Sequence, residues 1–146
     1  MRRILLIFAL VLVPLPALAE GWYEPPRGSD TRAALMDAIR PHAEWIFGPP
    51  IEFDVYELRV AGDVAFAGLT AQRPGGAPID LLATPGYARG EVDTSGISIP
   101  QIIQVLYRLS GNTWVATHFR FGATDVWYSY GPICAEYRAV VGDVCE

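Results

Sequence analysis

Hydrophobic and polar positions change rhythm several times along the 146 residues, and each change marks an element. After a Pro- and Gly-rich lead-in over residues 20–29, Leu35, Ile39, His42 and Ile46 recur at helical spacing, with Ala38 and Trp45 beside them. Ser29 or Asp30 can cap this helix by accepting from its free backbone amides. Pro41 lacks an N–H and crowds the preceding turn, so a kink or restart is expected there, and Gly48-Pro49-Pro50 ends the element. From Ile51 the period drops to two. Ile51, Phe53 and Val55 alternate with Glu52 and Asp54, then Leu58 and Val60 with Glu57 and Arg59. The charged positions pass from even to odd numbers, which a strict strand with one buried face cannot do. A bulge near Val55-Tyr56, or two short strands meeting there, restores the phase. Ala61-Gly62-Asp63 then turns the chain into a second strand, VAFAGLTAQR, completing a hairpin.

Residues 74–96 keep no period and read as a long loop, with Ile79 to Ala83 as a short edge strand inside it. Pattern returns at Ile97. IPQIIQVLYRLS and TWVATHFRF are strand-like and joined at Gly111-Asn112, with Arg108 and Arg120 at solvent-facing positions. Thr124 and Asp125 suit a helix start, and Pro132 suits the first turn of a second short helix that brings Tyr130, Cys134 and Tyr137 near one face. Helix, hairpin, long loop, hairpin and short C-terminal helix specify a single α+β domain over residues 30–146. Its N-terminal helix packs on an antiparallel sheet of about four strands. A helix packed across a curved antiparallel sheet, as in cystatin-like or NTF2-like layouts, is compatible with this order.

Composition changes once the first 19 residues, MRRILLIFALVLVPLPALA, are set apart. Arg2 and Arg3 precede a ten-residue apolar run, Ile4 to Val13, which is too short for the roughly 20 residues a spanning helix needs. Pro14 and Pro16 end it, and Ala17-Leu18-Ala19 offers small residues for cleavage after Ala19. A cleavable signal peptide is expected, leaving 127 residues with nine arginines against 16 acids, a net charge of −7. No cysteine follows the cleavage site, so no lipid anchor is indicated. The acidic balance excludes a nucleic-acid binder, which needs a basic surface, and the aromatic content excludes a solvated coil. All 11 basic residues are arginine. With abundant Ala, Gly and Pro this suggests a GC-rich bacterial genome, making the compartment a periplasm. No membrane association is expected after cleavage.

Cys134 and Cys145 are an even pair, 11 positions apart with Gly142 between them. An oxidising compartment favours a disulfide. A metal site would want more ligands than two cysteines without a nearby histidine, and a redox pair usually shows Cys-x-x-Cys.

Three blocks carry a resemblance: ALMDAIRP (34–41), PIEFDVYELRVAGDVAFAGLTAQRPGG (50–76) and FGATDVWYSYGPIC (121–134). They resemble a group of small exported proteobacterial proteins with an "alRP" helix, a "GDWAF" strand, a "QRPGG" segment and a late "GxTDVWY" followed by Cys. The chain departs from that pattern at Val64, where tryptophan is usual. The resemblance implies export and these block boundaries, and brings no activity, cofactor or catalytic residue.

Candidate chemistry is sparse. Histidine occurs only at 42 and 118. His42, on the apolar stripe of the helix, is expected as a partly buried core residue. His118 is expected on a strand face with Trp114, Ala116 and Arg120, and could pair with Asp125 or Asp54 as a general base. Ser129 and Thr117 lack the Gly-x-Ser-x-Gly setting of an activated nucleophile. Glu52, Asp54 and Glu57 read as a solvated face, since neither the two-element geometry of a glycosidase nor a calcium loop accompanies them. Gly75-Gly76 and Gly90 make no phosphate cradle without a lysine. No metal and no cofactor is expected. Trp22, Tyr23 and Tyr87 stand in Pro- and Gly-rich segments, where aromatic rings can anchor a partner. The expectation is an exported domain that binds a protein segment or small molecule without catalysis, the alternative being a small hydrolase or isomerase using His118 with Asp125 or Asp54.

Overall fold

Ser29 opens the first helix, α1 (Asp30–Phe47), its hydroxyl accepting from the Arg32 N–H at 3.3 Å, and Gly48 closes it at φ +74°. The computed structural model describes residues 21–96 and 98–145, so the expected signal peptide over 1–19 and the start of pattern at Ile97 lie outside the described residues. Strands β1 (Glu52–Ala61), β2 (Val64–Gln72), β3 (Ile102–Ser110) and β4 (Thr113–Phe121) form an antiparallel sheet in the order β1-β2-β3-β4. A four-residue helix α2 (Pro85–Ala88) lies between the hairpins, and α3 (Gly131–Val141) follows the sheet. This is the α+β architecture that the alternating pattern predicts.

The expected bulge is present: Val55 pairs with Leu69 and Glu57 with Gly68, leaving Tyr56 as the extra residue. It keeps Phe53, Val55, Leu58 and Val60 on one face through the change of phase. That face packs on α1, whose buried line is Leu35, Ile39, Ala43 and Phe47. Ala65, Ala67 and Leu69 of β2 with Ile103, Val105 and Tyr107 of β3 complete this core. The opposite face buries Val64, Phe66 and Leu106 against Tyr137, Val140 and Val141 of α3 and Tyr128 of the preceding turn. The sheet is thus covered by a helix on each side. Cys134 and Cys145 are joined by a disulfide with Cα atoms 5.7 Å apart, tying α3 to the chain end.

Several local expectations are corrected. Pro41 does not restart α1, which stays α-helical throughout. Asp37 and Pro41 are both exposed, so the missing bond falls on the solvent side, where water can satisfy the carbonyl. The buried stripe is rotated from the expected one. His42 is exposed, its ring against Phe119 with centroids 4.4 Å apart, and Trp45 is 63% exposed. Residues 79–83 form no strand: the Asp80 carboxylate accepts from the Leu82 N–H at 3.2 Å and curls Leu81–Ala83 into a 3-10 turn, while Ile79 enters the core. No helix starts at Thr124. There the indole N–H of Trp127 donates to Gln104 at 2.8 Å and Tyr128 stacks near Phe66, so docking on the sheet overrides the cap signal. Tyr130 precedes α3 and its side chain is exposed, whereas Cys134 and Tyr137 are buried.

Candidate functional site

The register of β1 determines which of its backbone groups are used. Tyr23 exchanges both backbone hydrogen bonds with Val60, each 2.9 Å, so Val60 turns its polar groups away from β2. Outward and inward residues alternate along an antiparallel edge, and the bulge at Tyr56 resets the count. Phe53 and Val55 therefore also point their N–H and C=O outward, and among the described residues nothing bonds to them. The edge is closed on either side of this opening. Tyr23 occupies Val60, and the Arg40 guanidinium donates to the Ile51 carbonyl.

The chain's own pairing stops for a chemical reason. Continuing the Tyr23–Val60 ladder would bring residue 25 opposite Leu58, but Pro25 has no N–H and Pro26 follows it. The Pro25 carbonyl instead accepts from Arg32 at 3.0 Å, and the chain turns at Gly28 (φ +80°) into α1. Between that turn, the first turns of α1 and the open edge lies a groove of about 290 Å³. Its floor is Ala33, Met36, Phe53 and Val55, and its rim carries Arg27 and Arg32. Arg40 lies over the Phe53 ring at 5.3 Å and fixes one wall.

Electrostatics around β1 are uneven. On the α3 side Arg59 donates to Asp143 at 2.6 Å and also pairs with Glu57, while Trp22 lies under its guanidinium at 5.0 Å. The hydrogen bond from Arg59 holds the Asp143 carboxyl below the usual carboxylate range. Tyr56 lies over Gly68, where a Cβ would come within 2.4 Å of its ring. Burial, then the Glu57 charge, pushes its phenol up. Asp54, between Phe53 and Val55, is exposed, and its carboxylate has no ion pair or hydrogen bond among the described residues.

A second groove of about 330 Å³ lies at the end of β2, between Gln72, Pro78 and Ile99. The neighbouring backbone is engaged there: Ala71 donates to Gln101 at 2.8 Å, and Arg73 bridges to Ala77. It offers volume without an open strand edge.

The residues singled out from sequence are dispersed. Trp22 and Tyr23 are half exposed at the β1 edge, whereas Tyr87 is on α2 against the last turns of α1, by the other end of β1. His118 lies on β4 beside the Tyr137 ring, with centroids 5.9 Å apart. A second bulge, at Thr117, puts His118 and Arg120 on the α3 face and leaves Trp114 and Ala116 on the α1 face, correcting the expected shared face. Asp54 is on the opposite edge strand, three strand spacings or about 14 Å across the sheet and a further four residues along it. Asp125 is exposed and makes no hydrogen bond or ion pair to His118 among the described residues. Thr117 is committed to Tyr137 and the Leu106 carbonyl at 2.7 and 3.1 Å. Glu52 accepts from the Gly75 N–H at 3.1 Å.

Met36, Arg40 and Arg27 are the site residues that reading side-chain motifs missed. The signal that could have found the site is Tyr23-Glu24-Pro25-Pro26, an extended residue followed by a double stop. Compared with protein-family models, curated proteins and solved structures, the chain finds no match.

Proposed function

We propose that the protein is an exported, non-enzymatic binding domain that takes up an extended protein segment as an added strand on β1. The observation that carries this is the outward, unbonded backbone of Phe53 and Val55 beside the groove floored by Met36. Main-chain hydrogen bonds then supply affinity, and the groove selects alternate side chains. A hydrolase or isomerase built on His118 has less support, because the carboxylates it would need stand apart from it.

Export belongs to the same proposal. The bonded Cys134–Cys145 pair fits an oxidising compartment. Among the described residues no helix is long and apolar enough to cross a membrane. Protein recovered from a periplasmic fraction should begin at Glu20, with a mass two hydrogens below that of the reduced chain.

Strand addition is tested by panning random octapeptides against the mature protein and titrating the hits into an isotope-labelled sample. Backbone amide shifts should centre on Phe53 and Val55 and extend to the first two turns of α1. Hits that shift other residues while leaving these two amides unmoved would overturn the proposal.

A further inference from the structure

We infer that the bound segment alternates apolar and basic side chains, the apolar ones entering the groove and the basic ones lying beside Asp54 and Glu52; this rests on strand addition at β1. In an added antiparallel strand, residues opposite Phe53 and Val55 direct their side chains to the α1 side. There they meet Ala33, Met36 and the Phe53 ring. The residue between them lands on the other face beside Asp54, and the next such residue lands beside Glu52, with opposed Cβ atoms roughly 4.5–5.5 Å apart.

Charge decides what can occupy the two sides. The other acids around this face are already engaged: Glu57 and Asp143 with Arg59, and Asp63 and Glu136 with Arg108. Asp54 has no such cation, and Glu52 has a single backbone donor. Asp54 borders the groove between Phe53 and Val55, but the groove rim carries Arg27, with no ion pair among the described residues, and Arg32. A basic side chain is therefore disfavoured inside it and favoured on the far face of the strand, to which Asp54 alternates. A second copy of the chain is disfavoured, since antiparallel β1 edges would bring Glu52 and Asp54 of both copies together. The chain's net charge of −5 also favours encounter with a cationic partner.

The test uses three capped octapeptides, alternating Val/Arg, Val/Thr and Val/Glu, titrated calorimetrically into the mature protein. Affinity should fall in that order, with Val/Arg tighter than Val/Thr by roughly three- to tenfold for two cross-strand charge pairs. Asp54→Asn should shrink that ratio by weakening Val/Arg more than Val/Thr, and added salt should shrink it too. Equal binding of Val/Arg and Val/Thr would overturn the alternation and leave strand addition standing. A Val/Arg peptide N-methylated at the residues facing β1 should lose binding. Full retention, or no binding by any of the three peptides together with unmoved Phe53 and Val55 amides, would overturn strand addition itself.

Discussion

Gly86→Ala isolates the contact that seats the 74–96 segment on α1. Thr84, 2% exposed, caps α2: its hydroxyl accepts from the Tyr87 N–H and donates to the Leu81 carbonyl at 2.7 Å. A Cβ on Gly86 would stand 2.6 Å from the Ile46 carbonyl oxygen and 3.0 Å from Val92 Cγ2. Reaching an ordinary contact of 3.4 Å needs about 0.8 Å of separation, and a helical carbonyl cannot swing aside, so α2 must lift from α1. Overpacking of this kind costs about 1–3 kcal/mol, offset by about 0.4–1 kcal/mol from the stiffer unfolded chain. A net loss of about 1–2 kcal/mol should lower Tm by roughly 4–8 °C for a domain of this size. The control is Gly68→Ala, whose Cβ would come still closer, 2.4 Å, but to the ring of Tyr56, which is 55% exposed and free to rotate. Gly68 is itself buried under that ring, but the ring rather than backbone gives way, so the loss should stay below about 1 kcal/mol. Urea unfolding of both variants decides the matter. A Gly68→Ala loss equal to or larger than that of Gly86→Ala would refute the premise that the mobility of the neighbouring atom, rather than its distance, sets the penalty.

The Tyr107 hydroxyl is buried without a protein hydrogen-bond partner among the described residues, and burial pushes its phenol far up. Tyr107→Phe should therefore raise stability by about 1 kcal/mol, the low end of an unsatisfied-group penalty; a loss in urea titration would contradict this. Asp143, its carboxyl lowered by Arg59, contributes stability that is present above its unfolded pKa and lost as pH falls through its folded one. Because its side chain is 54% exposed, the effect should stay below about 1 kcal/mol. Asp143→Asn should flatten the stability curve in the acid range below the ordinary aspartate pKa, and parallel curves for parent and variant would contradict the assignment. Reducing Cys134–Cys145 should cost about 3 kcal/mol from an 11-residue loop closure, read as a lower urea midpoint with a somewhat larger m-value, because the unfolded chain is freed to expand.

The bulge at Tyr56 was legible because one buried face forbids a change of phase, so the passage from Asp54 to Glu57 had to be absorbed by an extra residue. The same signal stands in β4, where Trp114 and Ala116 give way to Phe119 and Phe121, but Val115 blurs it and His118 attaches by number to the wrong set. Short segments were less legible. Thr124-Asp125 has good cap chemistry, yet the run after it holds Trp127 and Tyr128, whose burial on the sheet outweighs a few helical hydrogen bonds. Arg73 illustrates the same limit. Its guanidinium gathers the Phe47, Gly48 and Pro50 carbonyls at the end of α1, a role no local pattern announces, because its partners lie more than 20 positions earlier.

The candidate site escaped a reading of side chains because its main groups are backbone amides, which every residue carries. An open edge is defined by what fails to pair, and that depends on strand order and on where the lead-in leaves the sheet. The side-chain trace it does leave is an imbalance. With no lysine and 11 arginines against 16 acids, ion pairing must leave some carboxylates over. Arg32, Arg40, Arg59, Arg89 and Arg108 each engage an acid, Arg59 and Arg108 two apiece. Asp54 is left without a cation at the middle of the stretch where the edge is open. An incoming basic side chain would complete the pairing there, and the two outward amides beside it would hold its backbone in register.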